Sequence, residues 1–207
     1  MSITLNTCYQ GGSRLHGEPL VHLFDNFLSA TEVTHLLAAG AGKLEPAKVS
    51  LADKGASSKG RTGRNSWIPH RRDMVIAALC ERISQLVGLP LQQAESLQLI
   101  HYFETQEYAP HFDAWDTSTE AGQRCMARGG QRLITCLLYL NDVESGGGTT
   151  FPKLDVTIAA RTARLLVFHN CHVGTTTRHP ASLHAGMPVL AGEKWACNLW
   201  FRERNYW

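Results

Sequence analysis

Four short apolar segments constrain what this chain can fold into. They are LQLIHYF (97–103), RLITCLLYLN (132–141), TARLLVFHN (162–170) and KWACNLWFRE (194–203). Each is rich in Leu, β-branched or aromatic residues and is bounded by Gly, Asn or Pro, the signature of a strand. Turn-like stretches such as DVESGGGTTFP and HAGMPVLAGEK lie between them, with strand material around them. The second half of the chain therefore reads as sheet.

The first half reads differently. In DNFLSATEVTHLLAAG, Ser29 with Glu32 three residues later forms a capping box, and Val33, Leu36 and Leu37 follow as an apolar stripe. RDMVIAALCERISQLVGLP carries Val75, Leu79, Ile83 and Leu86 on one helical face, with Gly88 and Pro90 as the stop. Between these helices, Asp53 to Gly63 is rich in Gly, Ser and Lys and reads as a flexible loop. Two early helices followed by many strands predict an α+β fold, with the helices packed on one face of a β-sandwich or jelly roll.

The 207 residues suit one domain. Hydrophobic residues are 43% and charged residues 18%, which is globular composition. A net charge of +2 argues against an obligatory nucleic-acid partner, despite the mild basic cluster KGRTGRNSWIPHRR. The six cysteines form no C-x-x-C pair, so a zinc ribbon is not indicated. No signal peptide or 18-residue apolar run is visible, and the expectation is a cytoplasmic protein without a membrane partner.

The chemistry centres on EYAPHFDAWD, which places His111 and Asp113 two residues apart after a predicted strand. A lone H-x-D arises readily by chance, and a loop histidine with a capping aspartate is the plain alternative. His184, in ASLHAGMPV, changes the weight. Two His and one carboxylate can occupy one face of an octahedral iron and leave three positions open. Lys194 opens a strand ten residues later. A lysine facing into a barrel is costly unless it meets an anion. A dicarboxylate chelating iron at one end needs such a cation at its other end. Tyr102 and Thr135, on two other strands, can offer hydroxyls to the same carboxylate; core packing is their alternative role.

These stretches, together with DNFLSATEVTHLL and RTGRNSWIP, resemble the prolyl 4-hydroxylase family of Fe(II)/2-oxoglutarate dioxygenases. The resemblance runs from about Val21 to Arg204, leaving residues 1–20 as an N-terminal extension to a dioxygenase domain at 21–207. It implies a double-stranded β-helix, the jelly roll, supported by the N-terminal helices. It also implies that His111, Asp113 and His184 hold Fe(II). Lys194, with Tyr102 and Thr135, would then bind 2-oxoglutarate, with ascorbate as an accessory reductant. Arg61, Tyr108, Arg132 and Trp200 match positions near a peptide substrate; packing or solvated roles are their alternatives. Some positions depart from the family pattern. Gly148 stands where relatives often carry Glu, and Arg202 where peptide enzymes often carry His. The loop Asp116 to Gly130 also differs in length and charge.

The implied reaction converts a prolyl residue, 2-oxoglutarate and O2 into hydroxyproline, succinate and CO2. The expected partner is thus a proline-containing peptide or protein, with the enzyme a monomer or homodimer. A free amino acid or small natural product is the rival substrate. A non-catalytic metal-binding jelly roll is a more distant reading, and it would have no use for the Lys194 clamp. The loop Asp53 to Gly63 and the loop after Asp113 are candidate lids.

Overall fold

A computed structural model describes residues 3–47 and 60–207. In chain order its strands and helices are β1 (Ser13–Gly17), β2 (Leu20–Phe24), α1 (Ala30–Gly40), β3 (Glu45–Pro46), β4 (Arg64–Ile68) and α2 (Met74–Val87). Then come β5 (Leu97–Tyr102), β6 (Tyr108–His111), α3 (Glu120–Met126), β7 (Arg132–Tyr139), β8 (Ser145–Gly146) and β9 (Thr149–Phe151). The chain finishes with β10 (Val156–Ile158), β11 (Leu165–His169), β12 (His184–Gly186), β13 (Val189–Ala191) and β14 (Lys194–Arg202).

An eight-stranded sheet, ordered β1-β2-β11-β7-β14-β5-β4-β3, faces a four-stranded sheet, β10-β9-β12-β6. All pairings between these strands are antiparallel. This is the expected jelly roll with its helices on one side.

Both faces of the large sheet are covered, and the strand period of two divides its side chains between two cores. Leu97, Leu99, Cys197, Leu199 and Phe201 pack outward with Leu36, Ile76, Leu79 and Ile83 of the helices. Ile100, Tyr102, Leu137, Tyr139 and Ala196 point the other way, toward Phe151, Phe168 and Val189. The near-continuous apolar reading of these strands follows from burial on both faces.

The helix signals are realised, except that Val75 lies off the core face of α2, which buries Ile76, Leu79, Cys80, Ile83 and Val87. The Ser29 hydroxyl accepts the Glu32 N–H at 3.2 Å and the Glu32 carboxylate accepts the Ser29 N–H at 2.8 Å. Arg82 of α2 then closes on Glu32 at 2.8 Å, tying the helices together. Gly88 ends α2 at a φ of 74°, a left-handed conformation natural to glycine.

Two expectations need amendment, and a third falls largely outside the described residues. The boundary at residue 20 falls inside the β1–β2 hairpin, so the sheet begins at Ser13, and Tyr9 is already buried in the core. The loop after Asp113 contains α3, capped by the Thr119 side chain, which accepts the Gly122 N–H at 3.0 Å. Of the Asp53–Gly63 loop, residues 53–59 lie outside the described residues.

Candidate active site

Antiparallel pairing builds the site. In the β12–β6 ladder His184 stands directly opposite His111. Strand β6 lies at the sheet edge, where its Pro110 leaves no ladder hydrogen bond unmade. Two residues beyond His111, the chain leaves the strand and carries Asp113 back over the pair. The His111 Nε2 lies 3.7 Å from Asp113 Oδ1, and the His184 Nε2 lies 3.7 Å from Asp113 Oδ2. The three ligand atoms all lie within 4.8 Å of one another.

Hydrogen bonding settles the tautomers. The Nδ1 of His111 donates to the Ala109 carbonyl at 2.9 Å, and the Nδ1 of His184 donates to the Ser182 carbonyl at 2.9 Å. Each ring thus keeps a proton on Nδ1 and turns its Nε2, the nitrogen a metal ligand must offer, toward Asp113. Burial, reinforced by the His184 ring, pushes His111 down to about 3, so it is neutral at ordinary pH. Burial alone would raise Asp113. The His184 and His111 rings, Arg132 and the Trp200 N–H outweigh it and hold the carboxyl well below its usual range. Two imidazole nitrogens and one carboxylate fit a divalent iron.

A second cluster, Glu18, His172 and His179, is equally compact. There the His179 Nδ1 accepts the Ala181 N–H at 3.0 Å, so its proton sits on Nε2, which faces Glu18 at 4.0 Å. That ring offers a donor to a carboxylate and no free lone pair to a metal.

Each member of the triad is backed by a packed ring. Tyr108 stacks on His111 with centroids 3.5 Å apart, and Arg61 covers Tyr108 at 4.8 Å. Phe168 meets His184 at 4.6 Å. Trp200 donates its indole N–H to Asp113 Oδ2 at 2.9 Å.

Lys194 is paired with Tyr102 in the β14–β5 ladder, and its side chain enters the same cavity as the triad. It is only 3% exposed. Among the described residues it has no hydrogen bond and no ion pair; its ammonium lies 5.6 Å from the centroid of the Tyr139 ring. Burial pushes its pKa down to about 8. An amine left unpaired on the wall of a cavity is a receptor for an anion. This fits the far carboxylate of 2-oxoglutarate. Burial raises the Tyr102 hydroxyl against the opposing effect of Arg61, which hydrogen-bonds it. Gly63 lies against this ring, and a Cβ there would collide with it.

The structure gives several expected residues other partners. Thr135 donates to Asp113 Oδ2 at 2.7 Å and accepts from Asn170 at 2.9 Å, instead of standing free for a cosubstrate. Arg132 binds Glu95 through two hydrogen bonds, 2.6 and 2.8 Å, and lies over Trp200 at 3.9 Å. Arg202, the departure from the family pattern, binds the same Glu95 at 2.8 Å. Arg61 bonds Gln98 at 2.9 Å. Sequence reasoning missed Glu95 and Asn170. Glu95 is a lone acid just ahead of an apolar strand, a faint sign of a buried partner for cations.

The family model for the 2OG-Fe(II) oxygenase superfamily matches residues 97–202. A protein of Acanthamoeba polyphaga mimivirus, named for prolyl 4-hydroxylase, is 36% identical over 92% of this chain and 76% of its own length. The chain belongs to the prolyl 4-hydroxylase family of 2OG-Fe(II) oxygenases. A prolyl 4-hydroxylase homologue of Arabidopsis thaliana is 32% identical over 94% of this chain and 66% of its own. The viral collagen prolyl hydroxylase of Paramecium bursaria Chlorella virus-1, solved with 2-oxoglutarate, superposes with a TM-score of 0.70 at 27% identity. That match covers 88% of this oxygenase and 95% of the viral enzyme.

Proposed function

We propose that this oxygenase hydroxylates prolyl residues within a peptide. The observation that carries the reading is the cavity around the triad, about 970 Å³, which extends from Lys194 and Tyr102 outward to Trp67 and Asn65. That is the upper end of the range for small-ligand sites. It exceeds what 2-oxoglutarate with one free amino acid would fill. Its lining offers one exposed aromatic face, Trp67, and side-chain donors, Asn65 and Asn198. Proline-rich segments are bound by such walls, because prolines supply carbonyl acceptors but no N–H. The names of the viral and plant relatives support the same substrate class.

Bound Fe(II) and 2-oxoglutarate supply the oxidising chemistry that converts O2 and an unactivated C–H into an alcohol, with succinate and CO2 as co-products. The protein supplies placement. His111, Asp113 and His184 would hold the metal, and Lys194 would fix the tail of the cosubstrate, setting its orientation. The rings of Tyr108, Phe168 and Trp200 back the triad and limit access of water.

The test is to incubate the Fe(II)-loaded protein with 2-oxoglutarate, ascorbate and a panel of proline-rich peptides, free proline and free basic amino acids. Succinate and a mass gain of one oxygen are measured together. Stoichiometric peptide hydroxylation is expected. Product from free amino acids alone would replace the peptide with a small-molecule substrate. Metal binding without succinate would leave a non-catalytic jelly roll.

A further inference from the structure

We propose that Thr135 and Trp200 are positioning residues for Asp113, loading its Oδ2 with hydrogen bonds so that a metal is held through Oδ1. The inference rests on reading His111, Asp113 and His184 as the metal ligands.

The two residues are direct partners in the β14–β7 ladder, so one rung of the large sheet presents both donors to one carboxylate. The Thr135 hydroxyl donates to Oδ2 at 2.7 Å and the Trp200 indole at 2.9 Å. A carboxylate oxygen has two lone-pair sites, and these two bonds occupy both on Oδ2. Oδ1 carries no hydrogen bond among the described residues, and it is the oxygen facing His111 Nε2.

Each donor is itself held. Asn170, fully buried, donates to the Thr135 oxygen at 2.9 Å, which directs the single hydroxyl proton to Asp113. Arg132 lies over the Trp200 ring at 3.9 Å and is clamped in turn by Glu95. The carboxylate is therefore oriented before any metal arrives. Groups that hydrogen-bond a ligating carboxylate tune metal affinity in this way. The arrangement leaves Thr135 no spare proton for a cosubstrate carboxylate.

Metal-stripped protein is titrated with Co(II) in the absence of 2-oxoglutarate, and the visible bands of the bound ion are recorded. Affinity for 2-oxoglutarate is then measured on the loaded protein. Thr135→Val and Trp200→Phe are each expected to weaken Co(II) binding about 10–100-fold and to shift its bands. Thr135→Ser, which keeps the hydroxyl, is expected to behave like wild type. Melting of the metal-free variants reports folding; should Trp200→Phe not fold, the Thr135 pair decides alone. Unchanged Co(II) affinity and spectrum in the folded variants would overturn the proposal. So would a Thr135→Val protein that loses only 2-oxoglutarate affinity. Wild-type protein that takes up no Co(II) would remove the metal reading itself, and this proposal with it.

Discussion

His111 and His184 stand opposite one another across two strands that are 73 residues apart in sequence, and their Nε2 atoms both turn to Asp113. The carboxylate is the anionic member of the trio. Asp113→Ala is expected to reduce Fe(II)-dependent succinate release to background. Retention of full 2-oxoglutarate-dependent turnover would refute the assignment of the metal site.

Lys194 sets a pH dependence for cosubstrate binding. Its pKa in the empty site is about 8. The protonated amine is the form that attracts a carboxylate. Affinity for 2-oxoglutarate should therefore hold steady below pH 8 and fall by up to about tenfold per pH unit above it. Calorimetric titrations from pH 6.5 to 9.5 on metal-loaded protein would measure this. Lys194→Met should bind weakly at every pH, and a parallel decline in that variant would mean that another group titrates.

The same lysine is expected to cost stability. Its folded pKa lies below the unfolded value, 10.5 falling to about 8. The penalty is fully present below pH 8 and vanishes above about pH 10.5. Lys194→Met should stabilise the ligand-free protein at pH 7 by up to about 3 kcal/mol while removing cosubstrate binding. Denaturant melts of both proteins at pH 7 test the sign; a less stable variant would contradict it.

Glu95 holds two buried cations together. Arg132 and Arg202 both reach its carboxylate, which is 4% exposed. Burial would raise this carboxyl, and the two guanidinium groups outweigh it and lower it. Its contribution is present above the unfolded Glu value and is lost as pH falls through the folded one. Glu95→Gln leaves both cations short of charge and should destabilise the fold by about 3–5 kcal/mol, a drop in Tm of roughly 10 °C. The variant should also lose less stability on acidification than wild type, as thermal melts at pH 7 and pH 4 would show.

The helices and principal strands were legible because their causes are local. Ser29 and Glu32 cap one helix within four residues, Gly88 stops another, and Leu79 and Ile83 lie on the buried face that the helical period predicts. The residues of the site were also legible, since His111, Asp113, His184 and Lys194 all line one cavity. Their partners were not. Thr135 and Trp200 reach Asp113 because β7 and β14 pair in a register that their own residues do not announce. Glu95 meets Arg132 and Arg202 across 37 and 107 residues of chain.

Helix caps and the alternation of apolar residues are set by neighbours in the chain, so the sequence alone determined the two long helices, the principal strands and which side chains carry chemistry. Which donor serves which acceptor depends on strand register and on closure of one sheet over another. Only the tertiary structure decided that, because a hydrogen bond is made or lost within a fraction of an ångström.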